Sequence, residues 1–233
     1  ITGAESKLMP ELSPRLDILS EVQQLLWPKL APAAALRFVL YGGTAVALRL
    51  GHRTSVDFDF FSDADLDRGA LIEAMPFLEA ARVLQDRPDT LTFLVTPDGQ
   101  TSDVVKVSFF GPIPFGRVRV PERTSDHIIQ VASPEDLLGT KLKVLLQRIE
   151  AKDYLDVAAI LENGTPLALG LGAARTLFGQ AFQPSECLKA LVYFEGGDLE
   201  SLSDRVKDTL IASAVAVDDI PHVPLADRRL ALP

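Results

Sequence analysis

Two aspartates, Asp57 and Asp59, stand one residue apart in the run SVDFDFF (55–61), where acidic and apolar residues alternate. Ionised carboxylates on a half-buried strand are unfavourable unless they are paired or bound to a metal. Side chains alternate across a strand, so both carboxylates share one face, about 6.6 Å apart along the chain, while Val56, Phe58 and Phe60 point into a core. Such an edge suits one or two Mg²⁺ ions, or Mn²⁺ in their place, as hard cations that take oxygen ligands and keep waters for substrate phosphates. Ions of this kind hold a triphosphate and stabilise charge on its leaving group.

Just upstream, Gly42-Gly43-Thr44 follows the apolar run LRFVL (36–40). Glycine lets backbone N–H groups approach phosphate closely, and the Thr44 hydroxyl sits at a helix start, where anions are favoured. The plainer alternative is a solvated strand face, with Arg53 as the salt-bridge partner of Asp57. The clustering of strand, glycine pair, Arg53 and acid pair within 36–61 favours a phosphate-and-metal site.

The elements that position these residues read as follows. SPRLDILSEVQQLL (13–26) predicts a helix with Ser13 as N-cap and Pro14 at its first position. A strand at 36–40, a short helix closed by Gly51, a strand at 55–61 and a helix over about 64–80 come next. TLTFLVT (90–96) and SDVVKVSFF (102–110) flank a Pro97-Asp98-Gly99 turn and predict a hairpin. GRVRV (116–120) and HIIQVA (127–132) add short strands. Ser133 caps a helix, broken once, that runs to Gly164, and three further helices follow, at Thr165-Pro166, about 184–193 and about 203–217. The tail is broken by prolines. The expected class is α+β: a mixed-sheet core with an N-terminal helix over 1–133, and a helical region over 134–233 packed on it.

The 233 residues are 47% hydrophobic and 24% charged, ordinary for a globular protein. The net charge of −9 disfavours non-specific nucleic-acid binding through bulk charge. Two local basic clusters remain, Arg117/Arg119/Arg123 and Lys141/Lys143/Arg148/Lys152. No apolar run reaches the roughly 18–20 residues of a membrane span, and the first residues lack a signal-peptide pattern. Cys187 is the single cysteine, so no intrachain disulfide or cysteine zinc cluster forms, and a reducing cytoplasm is expected.

The order Gly-Gly-Thr-Ala, Leu, Gly, Arg-x-Ser, Asp-x-Asp-Phe-Phe resembles the polymerase β-like nucleotidyltransferase superfamily, and more closely its AbiEii/AbiGii toxin branch. The likeness extends through VKVSFF (105–110), SPEDLLGTKL (133–142) and RIEAKDYLDVAAIL (148–161), and more weakly through ECLKALVYFEGGD (186–198). It implies a nucleotidyltransferase-like mixed sheet and transfer of a nucleoside monophosphate from an NTP to an acceptor hydroxyl. It also implies an RNA acceptor such as the tRNA 3′ end, and an antitoxin partner in a bacterial type IV toxin–antitoxin system. By this resemblance Asp57 and Asp59 hold Mg²⁺, and Gly42, Gly43, Thr44, Arg53 and Ser55 contact the nucleotide. Lys141 contacts its phosphates or base, with Lys152 as a further contact or as helix support, and Asp153 is a structural or catalytic acid. On one continuous helix, Lys141, Arg148 and Lys152 lie within about 20° of a common stripe, with Asp156 beside it.

One departure is plain. Superfamily members usually supply a third carboxylate from a neighbouring strand, and the matching position here holds Ser108. Asp103, five residues away, lies on the opposite face of a regular strand. The alternative to a two-aspartate enzyme is therefore a catalytically impaired fold that binds nucleotide or a protein partner. A metal-dependent hydrolase ranks third, because only His52 lies near the acids.

Overall fold

A computed structural model describes residues 10–97 and 103–232. One mixed sheet is built from β1 (Glu11–Leu12), β2 (Val39–Tyr41), β3 (Asp57–Phe61), β4 (Arg82–Arg87), β5 (Thr90–Val95), β6 (Val105–Phe110), β7 (Glu122–Thr124) and β8 (Gln130–Val131). Their spatial order is β1-β7-β8-β2-β3-β6-β5-β4. Strand β3 lies at the middle, antiparallel to β2 and parallel to β6. The helices are α1 (Glu21–Leu26), α2 (Pro32–Ala35), α3 (Gly42–Leu50), α4 (Arg68–Ala74), α5 (Pro134–Leu145), α6 (Ala151–Glu162), α7 (Leu167–Phe178), α8 (Pro184–Leu191) and α9 (Asp204–Val215). The change from strands to helices falls at Ser133, and one core cluster runs from Ile18 to Ala231 through both regions.

Alternation along β3 separates its two faces. Phe58 and Phe60 are fully buried, with Phe60 stacked on Phe109 at 5.5 Å and Phe58 6.2 Å from Trp27. Asp57, Asp59 and Phe61 are half-exposed on the other face. Burying a phenylalanine side chain contributes about 1.5–3 kcal/mol, and a one-residue slip would expose both rings while burying both acids. The aromatic residues therefore fix where the carboxylates point.

Several local expectations change. The first helix starts at Glu21, because Ser20, not Ser13, forms the capping box with Gln23; Leu16–Ile18 is only a 3₁₀ turn. Val56 is exposed rather than in the core, since β3 begins one residue later. The helix expected over 64–80 is α4 plus a 3₁₀ turn at Pro76–Leu78, where proline cannot continue the ladder. GRVRV contributes a single bridge, Arg117 to Asp227, and pairing resumes at β7. Strand β4 gives no alternation signal. It is a mostly exposed edge with a register shift between Val83 and Gln85, features that keep an edge from pairing with other chains. The hairpin of β5 and β6 is present, whereas Asp98 and Gly99 of its expected turn lie outside the described residues.

Candidate active site

Strand β2 runs directly into α3, whose first residue Gly42 has φ +74. A Cβ at this position would sit 2.8 Å from Asp59 Oδ2, so glycine is what lets the backbone pass the acid. Gly51 closes α3 in the left-handed region, with φ 64. The chain then turns back through His52 and Arg53 to place Asp57 and Asp59 on β3. A Cβ on Gly43 would lie 2.3 Å from Arg53 Nη2, so the guanidinium packs directly over this glycine.

The two acids open into a cleft of about 950 Å³. Gly42, Gly43, Arg53, Ser55, Asp57, Asp59, Lys141 and Lys152 all line it, as do Lys106, Ser108, Thr140, Lys143, Gln147 and Arg148. Six basic side chains (Arg53, Lys106, Lys141, Lys143, Arg148, Lys152) thus face two carboxylates. Basic side chains are thus concentrated here on an acidic chain, with Arg53, Lys141, Arg148 and Lys152 paired to acids outside the lining. The other basic cluster dissolves: Arg117 is buried and holds the backbone of Arg229, while Arg119 pairs with Glu135. The cleft also has an apolar end, beside Asp59, with Tyr41, Phe61, Phe110, Ile113, Phe115 and Phe178. Tyr41 stacks on Phe61 at 4.8 Å, and Phe115 meets Phe178 edge-on at 5.1 Å.

Arg53 is not the partner of Asp57. Lys106 is, with Nζ 2.7 Å from Asp57 Oδ2. In the parallel register of β3 and β6, Lys106 stands opposite Asp57 and Ser108 opposite Asp59. Burial raises the Asp59 carboxyl above its ordinary value, opposed by the charge of Lys106 and a hydrogen bond from Ser108.

Behind the cleft lies a buried ionic network. The expected break falls after Leu145, and α6 packs against α5, so the common stripe that one continuous helix would give Lys141, Arg148 and Lys152 does not form. Instead, Lys141 Nζ sits 2.8 Å from Asp153 Oδ1 and 2.5 Å from Asp156 Oδ2. Asp153 also accepts from Arg148 Nε at 2.7 Å. Asp156 also accepts from Arg53 and, at 2.7 Å, contacts His52 Nε2. Burial pushes the Asp156 carboxyl up, but bonds from His52 and Arg53 and the charge of Lys141 outweigh it and hold it well below the usual carboxylate range. Asp153 is likewise lowered, by Arg148 and Lys141 against burial.

Two candidates lie outside the cleft lining. Asp153 is fully buried, with its carboxylate oxygens occupied by Lys141 and Arg148, and it does not line the cleft. Thr44 is buried too, and its hydroxyl is used within the fold: it donates to the Asp57 carbonyl and is hydrogen-bonded to the Ser55 hydroxyl at 2.8 Å. Lys152 lines the cleft but pairs with Glu150 at 2.7 Å. Lys106 was not singled out from the sequence, although its place two residues before Ser108, on the same strand face, was the available signal.

Asp57 and Asp59 suit a divalent cation as hard oxygen donors on one face, and the ammonium already beside Asp57 marks a place where positive charge is stable. Among the described residues no group of three or more His, Cys, Asp or Glu side chains could hold a metal, so other ligands would be waters or substrate oxygens.

A strand running into a glycine-led helix, followed by paired acids on the next strand of a mixed sheet, is the nucleotidyltransferase arrangement. Solved structures share this fold. A putative nucleotidyltransferase from H. pylori superposes with TM-score 0.54 at 20% identity, covering 84% of this chain and 93% of that one. MenT4, a nucleotidyltransferase toxin from Mycobacterium tuberculosis, superposes with TM-score 0.53 at 16% identity, covering 82% of both chains. An uncharacterized protein from Aquifex aeolicus is 31% identical over 172 residues, 72% of this chain and 78% of that protein. The family model described as nucleotidyl transferase AbiEii toxin, type IV TA system, matches residues 26–217. The chain belongs to the AbiEii nucleotidyltransferase toxin family. No described helix is by itself long and apolar enough to cross a membrane.

Proposed function

We propose that this protein transfers a nucleoside monophosphate from an NTP to an acceptor hydroxyl, with RNA, such as a tRNA 3′ end, as the acceptor. Asp57 and Asp59 would hold Mg²⁺, or Mn²⁺ in its place. One observation carries the reading: the acid pair opens into the same cleft as the glycine pair and Lys141.

A bound divalent ion would supply charge stabilisation at the phosphate oxygens and the leaving group. The chain's own residues supply position and field. The first N–H groups of α3 lack intrahelical acceptors and favour an anion at Gly42 and Gly43. Arg53, Ser55 and Lys141 line that end of the cleft, and Lys141 is held in place by Asp153 and Asp156. Asp153 acts as a positioning residue for Lys141, not as the missing third acid. The aromatic end of the cleft suits a nucleobase: Phe61 lies two residues beyond Asp59 on the same strand face, about 6.6 Å farther along. Catalysis is then mostly positioning and preorganised electrostatics. The family implies a cognate antitoxin, and the basic side chains lining the cleft fit an anionic acceptor strand.

The second reading, a nucleotide-binding module without transfer, is favoured by Ser108, a neutral hydroxyl opposite Asp59 where a third acid could stand. Incubation with each labelled NTP, Mg²⁺ and total bacterial tRNA separates the two. Label on RNA with the parent and none with Asp57→Asn/Asp59→Asn, at unchanged circular dichroism, supports transfer. Equal labelling by the double variant overturns it, and metal-independent nucleotide binding with no labelling supports the module.

A further inference from the structure

The acid pair already has a cation of its own. Lys106 reaches across from the neighbouring strand to Asp57 at 2.7 Å, and parallel register makes this a direct cross-strand pair. Its side chain is 38% exposed and that of Asp57 32%, so the bridge is screened by water and can exchange partners at little cost. On the same face of β6, Ser108 replaces a carboxylate with a neutral group. Three carboxylates can balance two divalent ions to within one charge. Here two carboxylates and one ammonium leave a single negative charge, which one divalent ion more than balances, whereas two would leave an excess of three positive charges.

We propose that Lys106 is a resident cation of the acid pair, standing in for a second divalent ion, so that the site binds one ion, which the nearby ammonium weakens. The inference rests on the reading of Asp57 and Asp59 as a divalent-ion site. Lys106 is a positioning residue in the apo site: it neutralises Asp57 and keeps that carboxylate turned to β6. With the ion bound, its flexible stem keeps the ammonium in the same cleft, which would hold triphosphate oxygens.

The test is Mn²⁺ titration followed by electron paramagnetic resonance, without nucleotide, on the parent, Lys106→Met, Lys106→Arg and Asp59→Asn. The parent is expected to bind one Mn²⁺ that Asp59→Asn loses. Lys106→Met should bind it at least about tenfold more tightly, because a unit charge a few ångströms from the ion has gone. Lys106→Arg, which keeps the charge, should stay near the parent. Unchanged affinity in Lys106→Met, or two Mn²⁺ ions on the parent that both vanish in Asp59→Asn, overturns the resident cation and leaves the divalent-ion reading standing. Full Mn²⁺ binding by Asp59→Asn sinks that reading, and this inference with it. If Lys106→Met does not fold, Lys106→Gln serves the same comparison.

Discussion

Arg53 grips Asp156 through two parallel hydrogen bonds, Nε to Oδ1 at 2.7 Å and Nη2 to Oδ2 at 2.8 Å. This fork ties the loop before the acid strand to α6, and Lys141 shares the same carboxylate. Asp156→Ala takes from Arg53 its carboxylate partner and leaves the buried Lys141 to share Asp153 with Arg148. The expected loss is about 3–5 kcal/mol of stability, read by urea denaturation. Nucleotide affinity should fall as well, because Arg53 is then free to leave the cleft wall.

The aromatic end of the cleft gives a second expectation. Phe178→Ala removes one wall of the apolar end without touching the acids or the ionic network. Stacking contributes about 1–3 kcal/mol per base, so KM for NTP should rise roughly tenfold while kcat holds. Inhibition by inorganic tripolyphosphate, which has no base, should not change. Equal weakening of both ligands would place the base elsewhere.

Stability should depend on pH in two opposing ways. Burial pushes the Asp136 carboxyl up to about 6, against hydrogen bonds from Ser133, Val118 and Arg119. A raised carboxyl binds its proton more tightly folded than unfolded, so its contribution is complete below the ordinary carboxylate range and is lost as pH rises through about 6. Ionising it costs the fold on the order of 3 kcal/mol. Asp153 and Asp156 are lowered, so their contribution is present above that range and is lost as pH falls below it. Thermal melts should show stability falling on both sides of a maximum near pH 4–5, roughly where these opposing contributions cross. Asp136→Asn should flatten the decline on the alkaline side only.

What the sequence made legible was local. The β3 alternation, the Gly51 cap and the Ser133 helix start depend on neighbours a few residues apart, and all are present. The Asp57/Asp59 face and the Gly42-Gly43 turn followed from them. The pairings were not legible. Arg53 with Asp156 spans 103 positions, and Lys106 with Asp57 depends on a strand register that no local pattern specifies. The break between α5 and α6 was expected somewhere, but its position decides everything about Lys141. Packing of α6 against α5 brings Asp153 and Asp156 onto it, whereas a straight helix would hold both acids several turns away from Lys141. Strand β4 was missed because an exposed, charged edge need not alternate.

The long reach of the Arg53 fork also orders events in time. A polypeptide elongated only through α5 already owns the glycine turn and both acids, yet Arg53 and Lys141 still lack the carboxylates of α6 that hold them. The cleft is thus incomplete until α6 and, with Phe178, α7 have been made, so a copy stalled before them carries both acids in an unfinished wall.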